Sequence, residues 1–168
     1  MADVKHYAGA ATGAYLYATD GTPPANSVVV PAPLNANYIW NGTVWLTPAP
    51  TSVQVNAERD RRAVLGFTYN GVAYQSDQSS RDAIDRNAML AFVAITNGAA
   101  SGNLRWSDPN ADFYWIAADN SHITMDAQAV VALAQASAAF STNLTLKAST
   151  LKAMNPIPTD YTADSYWS

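Results

Sequence analysis

The sequence predicts an α+β fold, with an N-terminal β-rich module and then a helical domain that carries inserted β-hairpins and a long C-terminal helix. Three observations carry that expectation. Asn-Gly pairs at 41–42 and 70–71 sit between aromatic and β-branched runs, and Asn-Gly tolerates the positive φ that tight hairpin turns need. Apolar residues recur at helical spacing in two later stretches, 80–97 and about 124–152. Between the two patterns, Thr47-Pro-Ala-Pro50 reads as a stiff linker. Four segments follow: a β-rich module at 1–46, a Pro-rich linker at 47–54, an α+β helical domain at 55–155 and an aromatic tail at 156–168.

In order, residues 2–20 read as two short strand-like pieces around Tyr7 and Tyr15-Leu16-Tyr17. Asp20-Gly21 marks a turn, and Ser27 to Val30 is a β-branched run that stops at Pro31. Trp40 and Trp45 are placed on the two arms of the first Asn-Gly hairpin. Val55 to Val64 reads as a short helix with Glu58, Arg59, Asp60, Arg61 and Arg62 at its middle, and Glu58 and Arg62 have the i,i+4 spacing of a surface pair. Gly66 ends it, because glycine takes the left-handed position after a helix without a Cβ penalty.

Phe67 to Tyr74 is the second hairpin, and Ser79 with Asp82 resembles a capping box for the next helix. Ile84, Ala88, Phe92 and Ile95 define that helix's expected buried face, and Asn97-Gly98 ends it. Strands are expected at Leu104–Trp106 and Phe113–Ile116, either side of Ser107-Asp-Pro-Asn110. Thr124 or Asp126 then caps the last helix, which runs to about Lys152. Val130, Leu133, Ser137, Phe140, Leu144, Lys147 and Leu151 alternate at three- and four-residue steps along it. That spacing fits a seam against the preceding helix of the same chain, or a subunit interface around an axis built from Val130, Leu133, Phe140, Leu144 and Leu151. Tyr161, Tyr166 and Trp167 in the tail are expected to dock.

At 168 residues the chain is long enough to bury a core. Only 13% of it is charged, against about 25% in ordinary globular chains, and its net charge is −4. An acidic chain with scattered Lys and Arg lacks the basic stripe that phosphate contacts require, so no nucleic-acid partner is expected. The absence of cysteine excludes disulfides, thiolate metal sites and a Cys nucleophile. The start MADVKHYAGAATG has no apolar signal core, and the run Ala88–Ile95 is far short of a bilayer span, so no membrane insertion is expected. His6 and His122 fall in different modules without metal-ligand spacing, and no nucleophile elbow or phosphate loop occurs. Asp112, Asp119 or Asp126 could pair as glycosidase carboxylates, yet each sits where a turn or cap already calls for Asp. The expectation is therefore a protein without enzymatic activity, metal or cofactor. Its better functional lead is its aromatic residues, which stack on sugars or fill partner pockets.

ERDRR (58–62), GFTYNGVAYQSD (66–77), SR (80–81) and FYWIAADNSHITMDAQAV (113–130) resemble a family of uncharacterised bacteriophage proteins from the tail-fibre and baseplate region, over about residues 55–161. PAPLNANYIWNGTVWLTPAP (31–50) resembles the Pro- and Trp-rich pieces of tail-fibre and fibre-assembly proteins. The resemblance implies a structural protein of the phage tail, made in the host cytoplasm and found in the virion. It would contact other tail or fibre proteins and form a homo-oligomer, a trimer first, with the 1–46 module as its attachment end. A fibre-assembly chaperone is the alternative, and a receptor- or glycan-binding module is the third, with Trp40 and Trp45 as the attachment or host-glycan contacts.

Overall fold

The computed structural model describes residues 3–168, so Met1 and Ala2 of the first module lie outside it. The architecture is mixed α+β, and the described residues form four small antiparallel sheets, three α-helices and a short 3-10 turn at Asp164–Tyr166. The chain forms two compact units: residues 1–50 with 156–159, and residues 51–155 with 160–168.

The first unit is a three-stranded sheet plus a hairpin. Strand β1 (Lys5–Gly9) lies between β2 (Tyr15–Thr19) and β3 (Ser27–Val30), antiparallel to both. Tyr7, Ala8 and Val30 are its buried side chains. β4 (Ile39–Trp40) and β5 (Trp45–Leu46) form the hairpin expected around Asn41-Gly42. Its loop has four residues, and Asn41 Oδ1 holds it by accepting from the Thr43 and Val44 amides. Trp40 N donates to Gly13 O and ties the hairpin to the β1–β2 turn. Gly13 has φ +67°, and a Cβ there would lie 2.1 Å from Trp40 O, so only glycine fits.

In the second unit α1 (Ser52–Ala63) begins inside the stretch expected as linker. Thr51 and Gln54 form a capping box there, a signal with glutamine in the acidic position. β6 (Phe67–Tyr69) and β7 (Val72–Tyr74) pair around Asn70 (φ 49°) and Gly71 (φ 77°), the turn that the dipeptide announces. α2 (Gln78–Thr96) is capped by Asp77 rather than Ser79. Asp77 Oδ1 accepts from the Ser80 amide, while its two oxygens take the hydroxyls of Ser79 and Ser80. At its C-terminus the Ala99 amide donates to Ala94 O and that of Gly98 to Ile95 O, a glycine-closed end.

The expected strand Leu104–Trp106 is absent. β8 (Tyr114–Ile116) instead pairs with β9 (His122–Thr124), because Asp119-Asn120-Ser121 is the turn: Asn120 has φ 66° and Asp119 Oδ1 accepts from Ser121 N. Segment 104–106 serves the core through its side chain, with Trp106 Nε1 donating to Met125 O. Asp126 caps α3 (Ala127–Ala153) through the Ala129 amide and also accepts from Gly102 N and Ser101 Oγ, pinning the loop after α2.

The core joins the β6–β7 hairpin to α2 and α3 through Phe67, Tyr74, Ile84, Ala91, Met125, Val130 and Leu133. Phe67 stacks on Tyr74 at 5.7 Å and on Phe140 at 5.8 Å between ring centroids. α1 packs along α3, and Lys152 Nζ donates to Asn56 Oδ1 across that contact. By length and composition α3 is apolar enough to cross a bilayer. That property is not visible as one uninterrupted apolar run, since Ser, Thr and Gln punctuate an alanine-rich helix. Here α3 packs against α1 and α2.

Candidate interaction site

The side chains offered by the sequence as a subunit seam are enclosed by their own chain. Val130, Leu133, Leu144 and Leu151 are buried, Ser137 with them, and Phe140 is half-buried against Phe67. Of the two partners that the spacing admits, the structure supplies the intramolecular ones. The buried face of α2 also differs from the expected one. Ile84 and Ala91 are buried and Ala88 and Ile95 half-buried, whereas Phe92 is 61% exposed. Sequence periodicity favours the largest apolar side chain, but close approach of α3 favours alanine at position 91.

Phe92 shares the outer side of α2 with Met89, 70% exposed, and with Leu90 and Val93, both also exposed. These residues, spaced one to four apart, form an apolar face with Asp85 and Arg86 one turn toward the N-terminus and Asp82 one turn beyond. Leu90 and Val93 open onto a 260 Å³ hollow against Trp106.

Trp40 and Trp45 pair across the β4–β5 hairpin, edge to face at 5.4 Å. Tyr15 continues the cluster onto Trp45, and His6 Nδ1 lies 3.1 Å from Tyr15 Oη. Trp45 Nε1 is already committed to Pro31 O. Trp40 lines an open 580 Å³ cleft together with Gly9–Gly13, Val28 and Val29. Both tryptophans are half-buried, so they build the module and still present ring surface.

The ERDRR run is a joint rather than a solvated face. Glu58 is 7% exposed, takes Arg61 in two bonds of 2.6 and 2.7 Å and receives Arg62 Nε at 2.7 Å. The Arg61 hydrogen bonds hold its carboxyl below the usual carboxylate range, with burial opposing them and Arg62 adding to them. Arg62 Nη2 reaches on to Thr162 O and Asp164 Oδ1, and its guanidinium lies 5.2 Å from the centre of the Trp167 ring. The tail docks as expected: Trp167 is 6% exposed, its Nε1 donates to Tyr161 O, and Lys147 Nζ donates to Ser168 O.

The aspartates considered for catalysis have structural partners. Asp112 pairs with Arg105 at 3.0 Å. Asp119 is held below its ordinary pKa by the Ser121 hydroxyl first and the Ser121 amide next. Asp126 is held low by the Gly102 amide first and the Ala129 amide next. His122 stacks on Tyr114 at 4.2 Å. Among the described residues no group of three or more His, Asp or Glu side chains is placed to hold a metal ion. Two further grooves mark the second unit's surface. One, of 460 Å³, runs between Val64–Thr68, Tyr74 and Phe140; the other, of 370 Å³, lies between the start of α2 and β8.

No curated protein and no solved structure matches the chain. A family model described as a domain of unknown function (DUF4376) matches residues 47–166, which takes in the whole second unit but its last two residues. On that match the chain belongs to the DUF4376 family.

Proposed function

We propose that this protein is a non-enzymatic structural component of a bacteriophage tail, in the fibre or baseplate region, where it links or forms part of a fibre. The observation that carries the reading is the outer face of α2, where Met89, Leu90, Phe92 and Val93 stand in solvent on a chain with only 13% charged residues. Exposed large apolar side chains gathered on one face mark protein contacts. The resemblance of ERDRR, GFTYNGVAYQSD and FYWIAADNSHITMDAQAV to tail-region proteins supplies the context. Homo-oligomerisation, with a trimer as the first state to test, is assigned to this face because the α3 seam is already filled by its own chain. The 1–46 module is the end that joins another tail protein or a host surface glycan through Trp40 and Trp45.

Mass spectrometry of purified virions tests the reading. The protein is expected at a copy number that is a multiple of its oligomer. A protein made during infection but missing from the particle would instead favour the fibre-assembly chaperone, which the Pro- and Trp-rich segment 31–50 also suits.

A further inference from the structure

β8 carries an unfinished hydrogen-bond ladder, and we infer that the groove beside it receives one extended strand of a partner polypeptide. The register fixes which groups are free. β8 and β9 pair as Tyr114 with Thr124, Trp115 with Ile123 and Ile116 with His122. The Met125 amide donates to Phe113 O, and the Ala117 amide to Ser121 O. Antiparallel pairs alternate between bonded and non-bonded positions, so Trp115 bonds to β9 while Tyr114 and Ile116 turn their N–H and C=O groups to the opposite edge. Ala118 has the same parity, and its amide does find a partner on that edge, Ala73 O of β7 at 2.9 Å. The chain then leaves the edge: after Gln75 it turns through Ser76 and Asp77 into α2. Among the described residues nothing bonds the edge groups of Tyr114 and Ile116, so the pairing opened by Ala73 stops one strand short.

The space beside this edge is an open 370 Å³ groove. Phe113, Tyr114, Trp115 and Ile116 form one wall, Ser79, Ser80, Ala83 and Asn87 of α2 form the other, and Gln75 closes one end. An edge strand walled by a helix admits a single added strand, whose main chain supplies the affinity and whose alternate side chains meet the two walls. The helix also decides against a second copy of β8. That strand would bring its own β9 beside it, and a 370 Å³ groove whose other wall is α2 suits one short strand, not a pair. None of the lining side chains is charged, so the matching segment has uncharged side chains, small or β-branched at alternate positions. This groove lies on a different side of α2 from Met89 and Phe92, and the inference rests on register rather than on the tail reading.

Amide hydrogen exchange by NMR on the full chain, with and without a capped neutral heptapeptide of alternating Thr and Val, tests it. In the free protein the Tyr114 and Ile116 amides are expected to exchange at least about tenfold faster than the Trp115 amide, as groups outside a ladder do. Added peptide should slow both and shift their resonances. The same peptide N-methylated at alternate residues, on the face that meets β8, should do neither. Ile116→Pro removes an edge donor without touching a β9 bond, and Ala83→Arg fills the groove from the helix side. Each is expected to weaken the peptide about tenfold or more. The inference is overturned if Tyr114 and Ile116 are as protected as Trp115 in the free protein, or if millimolar peptide leaves them unchanged. Binding that survives both substitutions, or dimerisation through β8, overturns it too. Absence of the protein from virions would sink the tail reading and leave these outcomes standing.

Discussion

Glu58 is the only glutamate in the chain, and both its oxygens face arginine. Its spacing to Arg62 is readable in the sequence, but its burial is not, because the tail that covers the site returns from a hundred residues away. Glu58→Ala leaves Arg62 enclosed with only the exposed Asp164 as its anion, and is expected to cost about 3 kcal/mol in urea unfolding at neutral pH. The pH sign follows from the direction of the shift. A carboxyl whose folded pKa is depressed contributes fully above its unfolded value, here near 4.5, and loses that contribution as pH falls through the folded value. The midpoint of thermal unfolding should therefore drop on acidification below about 4.5, and Glu58→Gln should flatten part of that slope. Trp167→Ala removes the tail's buried ring and Arg62's stacking partner, for about 3 kcal/mol and faster proteolysis of residues 160–168. Two glycines give a sharper contrast. Gly66 and Gly71 both have positive φ, so alanine costs about 1 kcal/mol at either. Only at Gly66 would the new Cβ also meet main chain, 2.6 Å from Tyr74 O, so Gly66→Ala should be clearly the more damaging in the same unfolding assay.

Elements with a local chemical signature are legible in the sequence. Asn70-Gly71 names its hairpin, Asn97-Gly98 names the end of α2, and Asp126 is one of the two caps expected for α3, whereas Gly66 (φ 97°) lies two residues past the Val64 cap of α1 and not directly after it. What the sequence left open was settled by partners distant in the chain. β8 chose β9 because Asp119 and Asn120 make a tighter turn than Ser107–Asn110, while Trp106 was drawn to Met125 instead. Phe92 fits the helical period of α2 yet faces solvent, since α3 approaches closely where Ala91 leaves room. The seam on α3 was visible as spacing, but spacing alone is silent on whether the groove it fills belongs to the same chain. α1 and α2 occupy it here. Leu133, wholly buried, should therefore behave as core: Leu133→Ala is expected to cost about 3 kcal/mol by chemical denaturation without changing the oligomer. The tryptophans of the first unit were placed on their hairpin, whereas the hold on Trp45 by Pro31 required the fold.

For the whole molecule, the two faces of α2 separate what holds the chain together from the surface we propose for partners. The inner face is spent on α3, and the outer one is apolar and open. Light scattering on the purified protein tests that division most directly, with Met89→Ser/Phe92→Asp and Leu133→Asp compared side by side and circular dichroism recorded on each. The account predicts an oligomer for the parent chain, a folded monomer for Met89→Ser/Phe92→Asp, and loss of helical signal for Leu133→Asp. A folded monomer from Leu133→Asp, beside an unchanged oligomer from the α2 variant, would contradict it and return the subunit axis to α3.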